Sequence, residues 1–280
     1  MAVTIGIQTY NRKDLLQVMA ASLYESSLST TAHIRIYDDK STDYGVEELR
    51  EIFPTAVTIN RNETNLKADK NMYNMYYNFI HNTQDEYFFN ADSDMIFKTN
   101  WLEKSMALIK KTNGILSLFN TSMHKAHEEF NDELVLKKTV GAAGVLFSRK
   151  RLEELMTYFD SMEMVKAFDW QWSEYFTGNN ISIFCVKESL VQHIGYRGQN
   201  AAYFFAFGKD YKIETIKDGQ IINDIFEKYA AKVWELEKER EDNFVYHIKR
   251  CFIIVLKKIL PETTRNHIKE GIERLKSSNA

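Results

Sequence analysis

Hydrophobic residues along the first half of the chain switch between two spacings. Short apolar runs typical of strands alternate with longer segments in which apolar residues recur every three or four positions, as in helices. The predicted strands lie at residues 2–8, 33–39, 55–60 and 86–92, and the predicted helices at residues 13–26 and 68–82. Since strands that alternate with helices form βαβ units, this pattern predicts an α/β domain with a mostly parallel sheet.

The alternation continues less regularly and ends near residue 215. The pattern predicts a helix at residues 101–111, a strand at 114–120, strands joined by a glycine-containing turn within 133–149, and a helix at 150–159. From residue 216 onward the sequence is helical and heavily charged. We therefore predict one α/β domain over residues 1–215 and a helical C-terminal extension over residues 216–280.

The C-terminal extension carries one segment of mixed character. Residues 244–260 combine Phe, Ile, Val and Leu with Lys and Arg, and Pro261 separates them from a second helix. Such a pattern is typical of a peripheral helix on an anionic membrane surface. It fits packing in a homo-oligomer, or a helix that covers the α/β domain, equally well.

Composition narrows the classes of function. The chain has 36 basic and 39 acidic residues and a formal net charge of -3, so no bulk positive field points to nucleic acid and any bound anion needs a local site. Cys185 and Cys251 are too far apart to resemble a metal motif. No apolar run approaches the roughly 20 residues needed to span a bilayer, and the N-terminus does not resemble a signal peptide. These features predict a cytoplasmic protein, in which the C-terminal extension is the candidate for peripheral membrane contact.

Polar clusters follow three of the predicted strands. They are Gln-Thr-Tyr-Asn-Arg at residues 8–12, Asp38-Asp39, and Asp92-Ser93-Asp94. In an open α/β sheet ligands bind at the carboxyl ends of strands, and a carboxylate in apolar surroundings needs a partner. Asp and Ser after a strand also cap helices, so each cluster alone leaves both interpretations open.

Together the three clusters offer what a nucleoside diphosphate requires. Tyr10 is suited to stack on a base, Asp39 to accept from a base N–H, and Asp92 to accept from ribose hydroxyls. Asp94 is suited to bind Mg²⁺ or Mn²⁺, which typically take one or two protein carboxylates and complete their coordination with phosphate and water.

Three motifs carry a family resemblance. "TIGIQTYNRKDLLQVMAASL", "IRIYDDKSTD" and "FFNADSDMIF" resemble the nucleotide-binding half of the GT-A glycosyltransferases, especially glycosyltransferase family 2. The resemblance implies a Rossmann-like GT-A fold over 1–215, with a nucleotide-sugar half at 1–100 and an acceptor half at 101–215. It places these residues at the nucleotide sugar or its metal: Thr9, Tyr10, Arg12, Asp39, Asp92, Ser93 and Asp94, with Asp39 at the base, Asp92 at the ribose and Asp94 on the metal.

One segment departs from the family pattern. "NETNLKADKNMYNMYYNF" resembles a shortened form of the family's Asn-x-Gly segment, but the glycine is missing and Lys67 lies near its place. Either Lys67 or Lys70 is expected to face a phosphate.

The acceptor half supplies a candidate base. "FDWQWSEYF" resembles the family's helix that begins with an acidic catalytic base, which implies that Asp169 takes the proton from an acceptor hydroxyl. Glu174 is the substitute candidate. Alternatively, Asp169 only caps this helix, and the aromatic residues that follow it belong to the core.

A second metal ligand is implied by "SLVQHIGYRGQN". It resembles the His-x-Gly segment of several GT-A enzymes, in which His193 would bind the cation, although a lone histidine is often structural. Residues 196–208 are expected to form a loop over the donor, with Arg197 at the diphosphate. The small residues of "VGAAGVLFSR" are expected to approach the sugar or simply to pack.

The resemblance implies a metal-dependent glycosyltransferase. It would move a sugar from a nucleoside diphosphate, such as a UDP-sugar, to a hydroxyl of a glycan, lipid-linked glycan or protein, with inversion if Asp169 is the base. The alternatives are a retaining transferase and a non-catalytic nucleotide-sugar-binding assembly module. A sugar-nucleotide nucleotidyltransferase is disfavoured because the first strand lacks that class's glycine-rich loop.

Overall fold

The computed structural model describes residues 2–29, 31–160, 167–195, 206–212, 214 and 216–242. The chain divides into two compact units, Met1–Ile225 and Phe226–Ala280. The predictions for residues 243–280, for Arg197 and for most of the 196–208 loop lie outside the described residues. Within the described residues, no helix has the length and the apolar character needed to cross a bilayer.

The first unit is built on a nine-stranded sheet. The strands of the chain are β1 (Val3–Thr9), β2 (Ala32–Asp38), β3 (Thr58–Arg61), β4 (Tyr87–Asp92), β5 (Met95–Phe97), β6 (Ile115–Ser117), β7 (Ala126–Glu129), β8 (Leu134–Lys137), β9 (Val145–Ser148), β10 (Ile183–Val186) and β11 (Val191–His193). Their order in the large sheet is β3-β2-β1-β4-β9-β6-β10-β8-β7, and β5 pairs with β11 in a separate two-stranded sheet.

Most strands of the large sheet point the same way. β1, β2, β3 and β4 are parallel neighbours, and β6 is parallel to β10. β9 runs antiparallel to β4 and β6, and β8 runs antiparallel to β10 and β7. The predicted α/β class with a mostly parallel sheet is therefore confirmed.

Helices cover both faces of the sheet. They are α1 (Lys13–Glu25), α2 (Val46–Ile52), α3 (Lys67–Asn82), α4 (Trp101–Leu108), α5 (Arg149–Asp160) and α6 (Phe168–Gly178), and a further helix, α7 (Ile216–Asp242), follows them in the chain. Neighbouring residues of one strand enter different clusters, because successive strand side chains point to opposite faces. On β4, Phe89 packs in the cluster that contains α1, α2 and α4, whereas Phe88 packs in the cluster that contains α3, α5 and α6.

The sequence pattern missed several details. The strands predicted within residues 133–149 exist as β8 and β9, but β6 and β10 lie between them in the sheet. α2 and β7 were not predicted. β7 is exposed along its whole length, so it lacks the apolar alternation that would have marked it as a strand.

Gly6 allows α3 to approach β1. A Cβ atom on Gly6 would lie 2.7 Å from Cε2 of Phe88 and 2.9 Å from Sδ of Met75, both within the core. We expect Gly6→Ala to lower the free energy of unfolding by about 1–3 kcal/mol, because an extra methyl group overpacks a filled core. Urea denaturation followed by circular dichroism measures this change.

Gly178→Ala is the matched control, since no heavy atom lies within 4 Å of an added Cβ there. It should stay within about 1 kcal/mol of wild type, because alanine favours the helix. Equal losses in the two variants would contradict the packing explanation.

Candidate active site

A cavity of about 980 Å³ opens at the carboxyl ends of β1 and β4. Ten candidate residues from the sequence analysis line it: Thr9, Tyr10, Arg12, Asp39, Lys67, Asp92, Ser93, Asp94, Asp169 and His193. Gly141, Ala142 and Ala143 of the small-residue segment also line it, whereas Lys70 and Glu174 do not. Candidate residues that are remote along the chain therefore lie around one cavity.

Strand register explains why the three polar clusters meet. In the parallel pairs, Thr9 of β1 lies opposite Asp38 of β2, and Gln8 lies opposite Asp92 of β4. The N–H of Asp39 then donates to the carbonyl of Thr9 at 2.9 Å. Because parallel strands end at the same edge, clusters that follow them are brought together by backbone pairing alone.

Two carboxylates and an imidazole form the centre of the site. One ligand atom from each of Asp92, Asp94 and His193 lies within 4.8 Å of the others. His193 Nε2 is 3.0 Å from Asp94 Oδ1 and 3.9 Å from Asp92 Oδ2. Antiparallel pairing of β11 with β5 supplies this contact, since it sets His193 opposite Met95, the residue after Asp94.

Asp94 is almost fully buried and surrounded by cations. Arg12 Nη1 lies 2.5 Å from Asp94 Oδ2, and Nη2 donates to Ser93 Oγ at 3.1 Å. Burial alone would raise the pKa of Asp94, but the charges of His193 and Arg12 outweigh it and hold that pKa well below its usual range. Asp94 is therefore the anionic centre of the cavity.

The pKa values of both neighbours of Asp94 are raised, which favours the neutral form of Asp92 and the charged form of His193. Burial, and then the charge of Asp94, raise the pKa of Asp92, even though Gln8 Nε2 donates to Asp92 Oδ1 at 2.7 Å. Burial lowers the pKa of His193, but the nearby carboxylates of Asp94 and Asp92 outweigh burial and raise it overall.

This donor set fits a divalent cation. Oδ1 of Asp94 is buried and accepts no hydrogen bond of regular geometry, although it lies beside His193. A buried oxygen of this kind normally has a partner. Carboxylate oxygen with a single imidazole nitrogen suits Mn²⁺ or Mg²⁺.

Gly195 keeps this centre compact. A Cβ atom there would overlap Oδ2 of Asp94 and lie 2.7 Å from Cε1 of His193. The Gly of the His-x-Gly segment is thus required by space, because the backbone passes directly over the carboxylate.

Asp39 and Asp38 have different environments although they are adjacent. Asp39 Oδ1 accepts from Asn62 Nδ2 at 2.9 Å and from the Leu66 N–H at 2.7 Å, at the cavity wall. Asp38 is buried, pairs with Arg61 at 2.8 Å and does not line the cavity. Asp39 is therefore the member of the pair that a ligand can reach.

The loop after β1 aims Arg12 at Asp94. Asn11 and Arg12 both have left-handed backbones, with φ of 54° and 61°. The Arg12 N–H donates to Asp43 Oδ2 at 3.0 Å, and the Thr9 hydroxyl shares a hydrogen bond with Tyr44. Contacts with the segment after β2 thus fix a turn that would otherwise be strained.

Lys67 occupies a position suited to glycine. Its φ is 71°, in the left-handed region that residues with a Cβ rarely adopt. The expected family glycine is absent here, and the lysine adopts the backbone conformation that a glycine would favour. Its own N–H donates to Asn65 Oδ1 at 3.0 Å.

Asp69 holds the start of α6 and was not predicted. Its two oxygens accept from the backbone N–H groups of Ala167 and Phe168, each at 3.0 Å. Asp169 follows immediately, and its Oδ1 accepts from the N–H of Trp170 at 2.9 Å. Burial, and to a smaller extent the charge of Asp69, raise the pKa of Asp169.

Two further lining residues were not assigned a role from the sequence. Trp170 was grouped with the core aromatic residues, yet it is 51% exposed, whereas Trp172 and Phe176 are buried. Its ring lies 5.7 Å from that of His124. The helical spacing of α6 offers the only signal for this difference, because residues 170 and 172 point about 200° apart around the helix axis.

Several solved structures resemble this chain. The crystal structure of S. aureus TarS 1-349 aligns with a TM-score of 0.50 at 14% identity, covering 81% of this chain and 71% of that one. The structure of TarS 1-349 in complex with UDP-GlcNAc aligns with a TM-score of 0.52 at 14% identity, covering 82% of this chain and 66% of that one. The structure of S. aureus TarS aligns with a TM-score of 0.52 at 13% identity. It covers 81% of this chain and 43% of that one, so this chain spans less than half of that one. The likeness confirms the predicted GT-A fold.

No curated protein sequence matches the chain. The family model of glycosyl transferase family 2 matches residues 4–161, which is more than half of the 280 residues. The match includes the clusters at the ends of β1, β2 and β4. The protein therefore belongs to glycosyl transferase family 2.

Proposed function

We propose that the protein is a metal-dependent glycosyltransferase that moves a sugar from a nucleoside diphosphate to an acceptor hydroxyl. The observation that carries this proposal is the presence of the Asp92, Asp94 and His193 cluster and of Asp169 in one cavity. The cluster is suited to bind a metal-bound diphosphate, and Asp169 is suited to act on an acceptor hydroxyl. We further propose a UDP-sugar as donor, because Asp39 is suited to accept from the imide N–H of uracil.

The donor end contains the residues that bind the diphosphate. We infer that Asp94 and His193 hold Mn²⁺ or Mg²⁺, with Asp92 at the ribose. The bound cation would neutralise the negative charge that develops on the departing diphosphate. Arg12 lies against Asp94, from which its guanidinium can reach phosphate oxygens as well.

The acceptor end contains the base. Asp169 takes the proton from an acceptor hydroxyl while the oxygen forms a bond to the anomeric carbon of the donor sugar. The bond from that carbon to the diphosphate oxygen breaks, and its electron pair leaves with the nucleoside diphosphate. Since the oxygen attacks opposite the leaving group, this single displacement inverts the anomeric centre. The acceptor is a glycan, lipid-linked glycan or protein.

The metal assignment predicts a loss of cation-dependent binding. In Asp94→Ala, UDP affinity should no longer rise when Mn²⁺ is added, because the variant lacks the Asp94 carboxylate that binds the cation. Isothermal titration calorimetry with UDP, with and without Mn²⁺, measures this directly. Asp94→Asn serves as a second variant that keeps the side-chain volume.

Asp132→Ala is the matched control, since Asp132 is exposed and does not line the cavity. It should keep the full Mn²⁺ dependence of UDP binding. If both Asp94 variants also keep it, Asp94 is not a metal ligand.

If Asp169 is the base, its replacement should sharply reduce sugar transfer without weakening UDP binding. Asp169→Asn should bind UDP as wild type does while transfer falls by roughly 10²–10⁴-fold, because the amide cannot accept the proton. Transfer should also decline as pH falls through the pKa of Asp169, which is raised above its ordinary value. Proton NMR of the product would report the anomeric configuration, and retention would contradict the single displacement.

The pH–rate profile of Asp69→Asn is a second test of Asp169 as the base. Removing the negative charge beside Asp169 should lower its pKa, so the acidic limb of the pH–rate profile should move to lower pH. An unchanged limb would mean that the group titrating there is not Asp169.

Because Lys67 has a left-handed backbone, we expect its replacement by glycine to increase stability and to decrease UDP affinity. Lys67→Gly should raise the free energy of unfolding by up to about 1 kcal/mol, because glycine adopts the left-handed conformation without strain. UDP affinity should fall several-fold if the ammonium group faces a phosphate. Lys67→Ala loses the same charge without the backbone relief, so it should show the affinity loss alone. Thermal melts and calorimetry of both variants check this.

A further inference from the structure

The rim of the cavity beside Asp169 is formed by exposed apolar side chains. Trp170 is 51% exposed and Met123 is 52% exposed, and both line the cavity. Large hydrophobic side chains elsewhere in this wall, such as Phe119, are more enclosed. An exposed aromatic face in a cavity wall, next to a few polar groups, is typical of a ligand site.

His124 packs beside the Trp170 ring. The two ring centroids are 5.7 Å apart, and His124 Nδ1 is 2.9 Å from Thr139 Oγ1, which fixes the orientation of the imidazole. Burial, and then the charge of Lys137, lower the pKa of His124, so the imidazole is neutral at pH 7. Trp170, Met123 and His124 therefore form an uncharged platform at the rim.

Two carboxylates line the cavity beside this platform, whereas Lys137, whose charge acts on His124, is buried and does not line the cavity. Asp69 and Asp169 both line the cavity and accept hydrogen bonds from backbone N–H groups at the start of α6, Asp69 from Ala167 and Phe168 and Asp169 from Trp170. Neither carboxylate forms an ion pair within the part of the chain that the structure describes. A phosphorylated ligand at this end would meet repulsion, whereas a neutral one would not.

A pyranose ring has the chemistry that this rim recognises. One face of such a ring presents C–H bonds, which carry partial positive charge and pack on the negative face of an indole. Its edge presents hydroxyl groups, which suit the carboxylate of Asp169. The volume of about 980 Å³ lies at the top of the range for ligand pockets, so it has space for an acceptor ring beside a donor.

We propose that Trp170, with His124 and Met123 beside it at the rim, is the platform for the acceptor's terminal sugar ring, so that the acceptor is a neutral glycan. This inference rests on the proposed glycosyltransferase function and narrows its acceptor. A phosphorylated polyol or a peptide hydroxyl lacks the C–H face that would cover the indole.

The test begins with binding, which needs no donor. Wild type is applied to an array of neutral oligosaccharides and phosphorylated saccharides, and the best ligand is then titrated by calorimetry. We expect binding to neutral glycans, a loss of about tenfold in Trp170→Ala, and retention of most affinity in Trp170→Phe, which keeps an aromatic face. Equal binding by wild type and Trp170→Ala, or a preference for phosphorylated glycans, would overturn the proposal.

Tyr77→Ala is the matched control. Tyr77 is 46% exposed and its ring stacks on His81 at 3.9 Å, but it does not line the cavity. It should bind glycans as wild type does. A loss equal to that of Trp170→Ala would assign the effect to general surface changes and overturn the proposal.

Transfer kinetics separate this inference from the function on which it rests. With p-nitrophenyl β-glycosides of neutral hexoses as acceptors, Trp170→Ala should raise the acceptor KM about tenfold and change kcat less. Failure of wild type to release nucleotide from any of a panel of UDP- and GDP-sugars with Mn²⁺ would count against the proposed function itself. Release of nucleotide with no transfer to, and no binding of, any neutral glycan would overturn the platform alone.

Discussion

The burial of Asp94 is the constraint on which the rest of the site depends. A carboxylate that is 2% exposed requires compensating charge, and the chain supplies it from two sides, with Arg12 after β1 and His193 at the end of β11. Gly195 has no side chain because the backbone passes directly over this carboxylate. Three remote segments are thus arranged around one negative charge.

A second connection joins the two halves of the domain. Lys67 and Asp69 lie at the start of α3, where Lys67 faces the cavity and Asp69 bonds to the first N–H groups of α6. The residues immediately before the candidate base, Asp169, are therefore held by a residue two positions from a candidate phosphate ligand.

The environments of the carboxylates differ enough to give them separate roles. Asp94 has a lowered pKa because cations surround it, whereas Asp92 and Asp169 have raised pKa values because burial dominates. Asp39 is held by neutral donors, and Asp38 is paired with Arg61 outside the cavity. Such separation of neighbouring acids is typical of active sites, in which each group needs its own protonation state.

The sequence alone determined the α/β class, the strands that end in polar clusters, and the family motifs, because apolar periodicity and short motifs are local properties. Gln8, Asp39 and Asp92 were recognisable as members of one site because parallel strands bring their carboxyl ends together. Only the tertiary structure decided that Asp69 holds the start of α6 and that Trp170 is exposed while Trp172 is buried. These outcomes depend on packing between segments up to about a hundred residues apart, as with Asp69 and Phe168, and no local pattern encodes such contacts.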